Sequence, residues 1–219
     1  MRGGTTQQVR IMDTTPTGIR AQMGAGVVLV LPFANVTAVT MNPPPEFEAA
    51  VAANEKGDLS TAFKNADFIV KKYRGLPTEW AQQAMLMLGD IYVALNQLPQ
   101  AQAQYTDYQR AYPAAPAADI SVGMARIDVS KKDFAAAKAK IDPIIGPALK
   151  LKNPSKSVSA LIGRAFYVSG QIKEQSGDFP GALEDYLRTT AIFPGDRVAA
   201  ASAQERADAL RKEHGTAVP

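Results

Sequence analysis

After residue 45, small residues recur at fixed intervals, and this feature limits the folds open to the chain more than any other. Two units each contain a glycine, an alanine and a proline spaced by 12 residues: Gly89, Ala101 and Pro113, then Gly170, Ala182 and Pro194. Met85, Leu88 and Tyr92 share one helical face with the first glycine. Small side chains let two helix axes approach closely. The pattern therefore predicts helix pairs that touch at Gly89 and Ala101 and stack on the next pair.

Two further units keep parts of the same pattern. Their matching residues are Ala50, Gly57-Asp58-Leu59, Ala62 and Ala66 in the first unit of the chain, and Ala125, Asp133-Phe134, Ala137 and Ile141 in the third. The turn inside a pair recurs as Gly57-Asp58-Leu59, Lys132-Asp133-Phe134 and Gly177-Asp178-Phe179. We expect the glycine to end one helix, the aspartate to cap the next, and the apolar residue to pack between them.

The repeats are unevenly spaced. The matching alanines are 39, 36 and 45 residues apart: Ala62, Ala101, Ala137 and Ala182. The longest interval contains several helix-breaking residues: Pro143, Gly146, Pro147 and Pro154. Because proline removes a helical hydrogen bond and clashes with the preceding turn, we expect a kinked or broken helix there, followed by a loop near Asn153-Pro154.

The second and fourth units resemble the tetratricopeptide repeat. The residues that carry the resemblance are Met85, Leu88-Gly89, Tyr92, Ala101, Tyr105 and Pro113, then Phe166, Gly170, Ala182, Tyr186 and Pro194. Trp80 lies earlier than the family's tryptophan, and Lys173 stands where the motif has tyrosine, so the repeats are degenerate. The resemblance implies a mainly α fold, a right-handed α-solenoid of antiparallel helix pairs, in which Tyr105 and Tyr186 fill gaps between successive pairs.

The N-terminal segment has the two-residue period of strands instead. Val9 and Ile11 alternate with polar residues, and the β-branched runs Val27–Leu31 and Val36–Met41 follow turn signals. We expect three or four short strands in a small β-meander. A unit this small has little core of its own, so it should dock on the helices or pair its edges with another chain.

These patterns divide the chain into five parts. We expect a β-rich segment over 1–42, a proline linker over 43–45, four helix pairs over 46–196, a capping helix over 197–213, and a tail over 214–219.

The opening Met1-Arg2-Gly3-Gly4 leads almost directly into strand-like sequence, and we expect that a signal peptide has been removed before it. Together with the helix end Gln109–Pro113, the uneven spacing resembles envelope tetratricopeptide proteins of Gram-negative bacteria. This implies a periplasmic location, with the cytoplasm as the alternative.

Few residues in the chain suit catalysis. There is no cysteine, and the one histidine, His214, falls in the polar tail, where we expect it to be exposed and without a role. Glu184 and Asp185 are adjacent on a helix and should point apart. We therefore expect no enzyme, no catalytic residue, no metal and no cofactor. The net charge of +3 is too small for a dedicated nucleic-acid binder, and no apolar run approaches the length of a membrane span.

A binding surface is the function that remains. The family resemblance implies that the first helix of each pair lines a concave groove that binds an extended peptide or a partner helix. The corresponding residues are Gln83, Leu86, Asp90, Val93, Val122, Arg126, Val129, Arg164, Tyr167, Gln171 and Glu174. We expect Arg126 and Tyr167 to be the main anchors, since arginine and aromatic side chains contribute most at interfaces. Leu86 and Asp90 stand where a carboxylate clamp has Lys and Asn, and the charge of Asp90 should repel a C-terminal carboxylate.

Two alternatives stay open. In the first, the β-rich segment drives self-assembly into a homo-oligomer, with the helices as a spacer. Alternatively, the lysines between Lys131 and Lys156 bind an anionic polymer or surface, since only Asp133 and Asp142 oppose seven lysines in that stretch.

Overall fold

Residues 6–215 are described by a computed structural model, and they form a mainly helical protein with a small N-terminal sheet. The opening residues of the β-rich segment, with Met1-Arg2-Gly3-Gly4, and the end of the expected tail lie outside the described residues. The sheet has three antiparallel strands in the order β1-β2-β3: β1 Arg10–Thr15, β2 Gly18–Gln22 and β3 Val28–Pro32. The predicted meander is therefore confirmed for three strands.

The run Val36–Met41 does not form a strand, so this part of the prediction was wrong. Its apolar side chains pack against the core beneath the sheet, with Val36, Val39 and Met41 spaced by two or three residues. The Met41 carbonyl accepts a hydrogen bond from the Trp80 indole at 3.1 Å. The segment is thus fixed by contacts with the helices, and these replace a strand ladder.

The sheet docks on the first helices, which was one of the two arrangements expected for it, the other being edge pairing with another chain. Ile19 and Ala21 on β2 are buried with Ile69, Leu76 and Trp80 in one apolar cluster. β3 is an edge strand of this sheet, and Val27 to Val30 remain exposed. The inner face of β2 thereby belongs to the helical core, whereas β3 contributes only the partly buried Leu31 to it.

Nine α-helices follow within the described residues. They are α1 Pro45–Glu55, α2 Leu59–Tyr73, α3 Glu79–Ala94, α4 Leu98–Ala111, α5 Ala117–Ser130, α6 Phe134–Ala148, α7 Lys156–Gln175, α8 Phe179–Leu187 and α9 Arg197–His214. A π-helical turn, Arg188–Ile192, extends α8. Each odd-numbered helix up to α7 packs on the helix that follows it, and α9 packs on α8. Over residues 6–215, none of the helices has both the length and the apolar character needed to cross a bilayer.

The turns inside three of the pairs have the predicted chemistry. Asp58, Asp133 and Asp178 each accept a hydrogen bond from the backbone N–H three residues later, at 3.0–3.1 Å. The residue before each aspartate has a positive φ, at +74° for Gly57 and +62° for Lys132. Glycine adopts this conformation freely, whereas lysine is held there by the flanking helices. The capping prediction is confirmed.

Small residues do allow close helix packing, and the tyrosines fill the space they leave. A Cβ added to Gly89 would lie 2.5 Å from Cε1 of Tyr105, and one added to Gly170 would lie 2.5 Å from Cε1 of Tyr186. A Cβ on Gly123 in α5 would also meet Tyr105, 2.7 Å from its Cε1. The Tyr105 ring therefore lies between α3 and α5, as predicted for a residue between successive pairs.

Two predictions near helix ends need correction. α6 continues through Pro143 and Pro147, so the broken-helix alternative was wrong. The loop expected near Asn153-Pro154 is confirmed, since it separates α6 from α7. Ala139 and both prolines are exposed on one face of α6, so water can bind the carbonyls that the prolines leave without a helical donor. His214 is half-buried at the end of α9 and stacks on Phe179 with a centroid distance of 3.8 Å, so it is not an exposed tail residue.

We expect one ion pair, between Arg74 directly after α2 and Asp107 on α4, to make stability depend on pH. Arg74 donates to both carboxylate oxygens of Asp107, at 2.6 and 2.5 Å, and these hydrogen bonds lower the pKa of Asp107. A carboxyl whose pKa is lower in the folded state stabilises the fold above its unfolded pKa and loses this contribution as the pH falls through the folded pKa. In urea unfolding, Arg74→Gln should reduce the free energy of unfolding at neutral pH by at most about 1 kcal/mol, since the pair is partly solvated. The reduction should shrink as the pH falls through the lowered pKa of Asp107, and a loss independent of pH would contradict this origin.

Candidate functional site

Two adjoining cavities lie mainly between the odd-numbered helices, with volumes of about 450 and about 670 Å³. Their shared wall consists of Asn54, Asp90, Arg164, Asp196 and Val198. We call the two cavities together the inner groove. Each has the size of a typical ligand pocket.

Nine of the eleven predicted groove residues line this groove. The first cavity contains Asp90, Val93, Arg126, Val129, Arg164, Tyr167 and Gln171, and the second adds Gln83 and Leu86. Within each helix these residues are spaced by three or four positions, so they share one helical face. The structure therefore brings together residues from α3, α5 and α7.

The remaining two predicted residues lie elsewhere. Val122 is 1% exposed and packs with Ala165 and Val168, because α5 packs directly on α7 at this level, so its assignment to a binding surface was wrong. Glu174 lines neither cavity. Its carboxylate accepts a hydrogen bond from the Tyr186 hydroxyl at 2.6 Å and pairs with Arg206 of α9, so it joins α7 to α8 and α9.

Asp90 is the centre of a charged network in the groove. Its Oδ1 accepts hydrogen bonds from the Tyr105 hydroxyl at 2.7 Å and from Nη1 of Arg126 at 2.6 Å. Nη1 of Arg164 lies 3.7 Å from its Oδ2. Two arginines thus offset part of the charge of Asp90, and the expected repulsion of a partner's carboxylate by Asp90 stays a prediction. Arg126, a predicted anchor, is already engaged within the chain.

Arg164 is the most enclosed cation of this network, with its side chain 18% exposed. It binds Asp119 of α5 directly, and its Nε lies 3.7 Å from the Asp196 carboxylate without a hydrogen-bond partner among the described residues. Burial alone would lower the pKa of Arg164, but Asp90, Asp119 and Asp196 outweigh it and raise the pKa above its ordinary value. The guanidinium is therefore permanently charged and joins α3, α5, α7 and the start of α9.

Tyr167 keeps a position on the groove wall. Its ring packs at a tilt on Tyr186, with 5.8 Å between the ring centroids, and burial raises the pKa of its hydroxyl. Val93 and Gln171 line the first cavity with it, and Gln83 adds an amide group to the second cavity. Among residues 6–215, no cluster of three or more His, Asp or Glu side chains is arranged to hold a metal ion. The groove thus offers polar and apolar contacts to a bound molecule.

Sequence reasoning missed the groove residues of α1 and α9. Asn54 and Val198 line both cavities, and Ser202 lines the first. These helices approach each other, and Arg197 pairs with Glu55 at 3.1 Å across the gap. Among the groove residues near α9, only Asp196 could have been noticed in the sequence, because an aspartate just before an alanine-rich helix is a typical N-cap. Its side chain accepts a hydrogen bond from the Ala199 N–H at 2.9 Å.

Comparisons of the chain with protein-family models, with curated proteins and with solved structures gave no match in any of the three. The tetratricopeptide resemblance therefore stays a prediction.

Proposed function

We propose that this chain is a non-enzymatic interaction scaffold: a tetratricopeptide-like right-handed solenoid that binds an extended peptide or a partner helix in the inner groove. The observation that supports the proposal is the alignment of groove residues on three successive odd-numbered helices. A row of equivalent faces suits a ligand that is itself a chain, since each helix can contact one part of it.

The chemistry of the groove favours polypeptide. Leu86, Val93 and Val129 supply apolar contacts, whereas Gln83 and Gln171 carry amides that both donate and accept hydrogen bonds. Backbone N–H and C=O groups of a bound segment need partners of this kind. The arginines and aspartates balance one another, so the groove does not select a partner by a single strong charge.

Panning a phage-displayed peptide library against the purified chain tests this proposal. Selected peptides are then measured by fluorescence polarisation against the wild type and against Gln83→Arg/Gln171→Arg. We expect the double variant to weaken binding at least about tenfold. The two arginine side chains would fill part of the groove, and their charges would lose hydration when a peptide binds.

The matched control is Gln102→Arg/Gln109→Arg on α4, where both glutamines are exposed and line neither cavity. It introduces the same charges away from the groove and should leave affinity unchanged. Equal loss in both double variants, or no loss in either, would remove the groove from the proposal.

The resemblance to envelope tetratricopeptide proteins leads us to propose an exported, periplasmic location as well. Fractionation of cells that produce the natural protein, followed by immunoblotting, tests this second statement separately from the groove. Recovery with the cytoplasmic fraction would contradict it.

A further inference from the structure

The connection between α6 and α7 exposes apolar and basic side chains next to one another. Leu149 is 58% exposed, Leu151 48%, and Val158 in the first turns of α7 40%. Lysines alternate with them along the chain. We call the set the α6–α7 rim, and its members are Leu149, Lys150, Leu151, Lys152, Lys156 and Val158.

The structure divides the lysine-rich stretch into two separate sites. Lys138 and Lys140 on α6 pair with Asp142 at 3.2 Å and with Asp128 at 2.5 Å. Lys131 and Lys132 precede α6, and the rim follows it, so the two exposed groups lie about 20 Å apart along the 15-residue helix.

The rim carries positive charge that no acidic residue in its own stretch of chain balances. The sequence from 143 to 173 contains no acidic residue. Among the ion pairs formed within residues 6–215, none includes Lys150, Lys152 or Lys156. Lys156 opens α7, where the positive end of the helix dipole disfavours a cation.

A further exposed apolar residue lies at the same end of α6. Phe193 packs with Ala148 and Ile162 in one apolar cluster, and Ile192, directly before it, is 57% exposed. The region thereby combines four large apolar side chains with three lysines, which is unusual for a surface in contact with water alone.

We propose that the α6–α7 rim attaches the protein to the surface of an anionic lipid bilayer. The leucines and Val158 would enter the boundary between headgroups and acyl chains, and the lysines would extend to the anionic headgroups. Nucleic acid would use the lysines but leave the leucines in water, so the paired chemistry favours lipid. This attachment lies on the bilayer and does not cross it.

Vesicle co-sedimentation of the full chain tests the proposal. The chain should bind vesicles of phosphatidylcholine and phosphatidylglycerol in about equal parts and not vesicles of phosphatidylcholine alone, and binding should weaken as salt rises. Lys150→Gln/Lys152→Gln/Lys156→Gln should lower the partition coefficient on the order of a hundredfold, at about fivefold for each lysine. Leu149→Ser/Leu151→Ser should lower it at least about tenfold.

The matched control is Lys131→Gln/Lys132→Gln, which removes exposed lysines at the other end of α6 and should keep binding within about threefold of wild type. All substituted residues are exposed, and circular dichroism verifies that each variant folds. Equal binding to both kinds of vesicle would overturn the proposal. An unchanged partition coefficient for the leucine variant would also overturn it and would assign the rim to an acidic polymer. An equal loss of vesicle binding in the Lys131→Gln/Lys132→Gln control would overturn it as well.

Discussion

Replacing Tyr105 with alanine is expected to lower the free energy of unfolding by about 3–5 kcal/mol, the range for large aromatic residues truncated in a core. The side chain is 1% exposed, and its ring lies between the two helical glycines Gly89 and Gly123. Its hydroxyl also donates to Asp90 at 2.7 Å. Urea unfolding monitored by circular dichroism measures the change.

The contact with Gly123 gives this prediction a sharper form. The three nearest neighbours of a Cβ at position 123 are all atoms of Tyr105. In the wild type, Gly123→Ala should therefore cost about 1–3 kcal/mol through overpacking. In the Tyr105→Ala background the same change should stabilise the protein by about 0.5–1 kcal/mol, because alanine favours a helix more than glycine does and the space is now empty.

Gly146→Ala in α6 is the control for helix propensity alone. No atom lies within 4 Å of a Cβ at this position, and the residue is exposed. It should stabilise the protein by a similar amount in both backgrounds. If Gly123→Ala has the same effect with and without Tyr105, the ring does not occupy the space between α3 and α5.

Local rules explain which parts of the fold the sequence predicted. The capping of α2, α6 and α8 by aspartate depends on residues three positions apart, so it is visible in a short stretch of chain. Gly123 was missed, although it follows Gly89 by 34 residues, because its neighbour Tyr105 belongs to the preceding helix pair. The course of Val36–Met41 was mispredicted because contacts with Trp80 and the core outweighed its strand-like composition.

The candidate site, too, could be predicted from the sequence only where local features determine it. The family resemblance, which assigns the first helix of each pair to a groove, was enough to collect Gln83, Leu86 and Val93 on one face. It could not show that Arg126 and Arg164 converge on Asp90, because these contacts join residues 36 or more positions apart and depend on how the pairs stack. Val122 was misassigned for the same reason.

The groove and the rim meet at the start of α7. Lys156 belongs to the rim and, with Ser157, also lines the second cavity. A bilayer bound at the rim would therefore lie beside one end of the groove. A peptide in the groove and a membrane at the rim would be neighbours. The variants of Gln83 and Gln171 separate peptide binding from membrane binding, because neither residue belongs to the rim.

Replacing Arg164 with methionine is expected to lower the free energy of unfolding by about 2–3 kcal/mol, less than the roughly 3–5 kcal/mol for a fully buried ion pair that loses one partner, because water still reaches part of Asp119 and Asp196. Methionine keeps the apolar stem but leaves Asp119 without its cation and Asp196 without a positive neighbour from α7.

Arg197→Met is the control, since its side chain is 75% exposed and its pair with Glu55 should contribute no more than about 1 kcal/mol. Adding Asp119→Asn to Arg164→Met should recover part of the loss, because it removes an uncompensated carboxylate. If Arg164→Met costs no more than Arg197→Met in urea unfolding at neutral pH, the convergence of carboxylates on Arg164 does not hold α3, α5, α7 and α9 together.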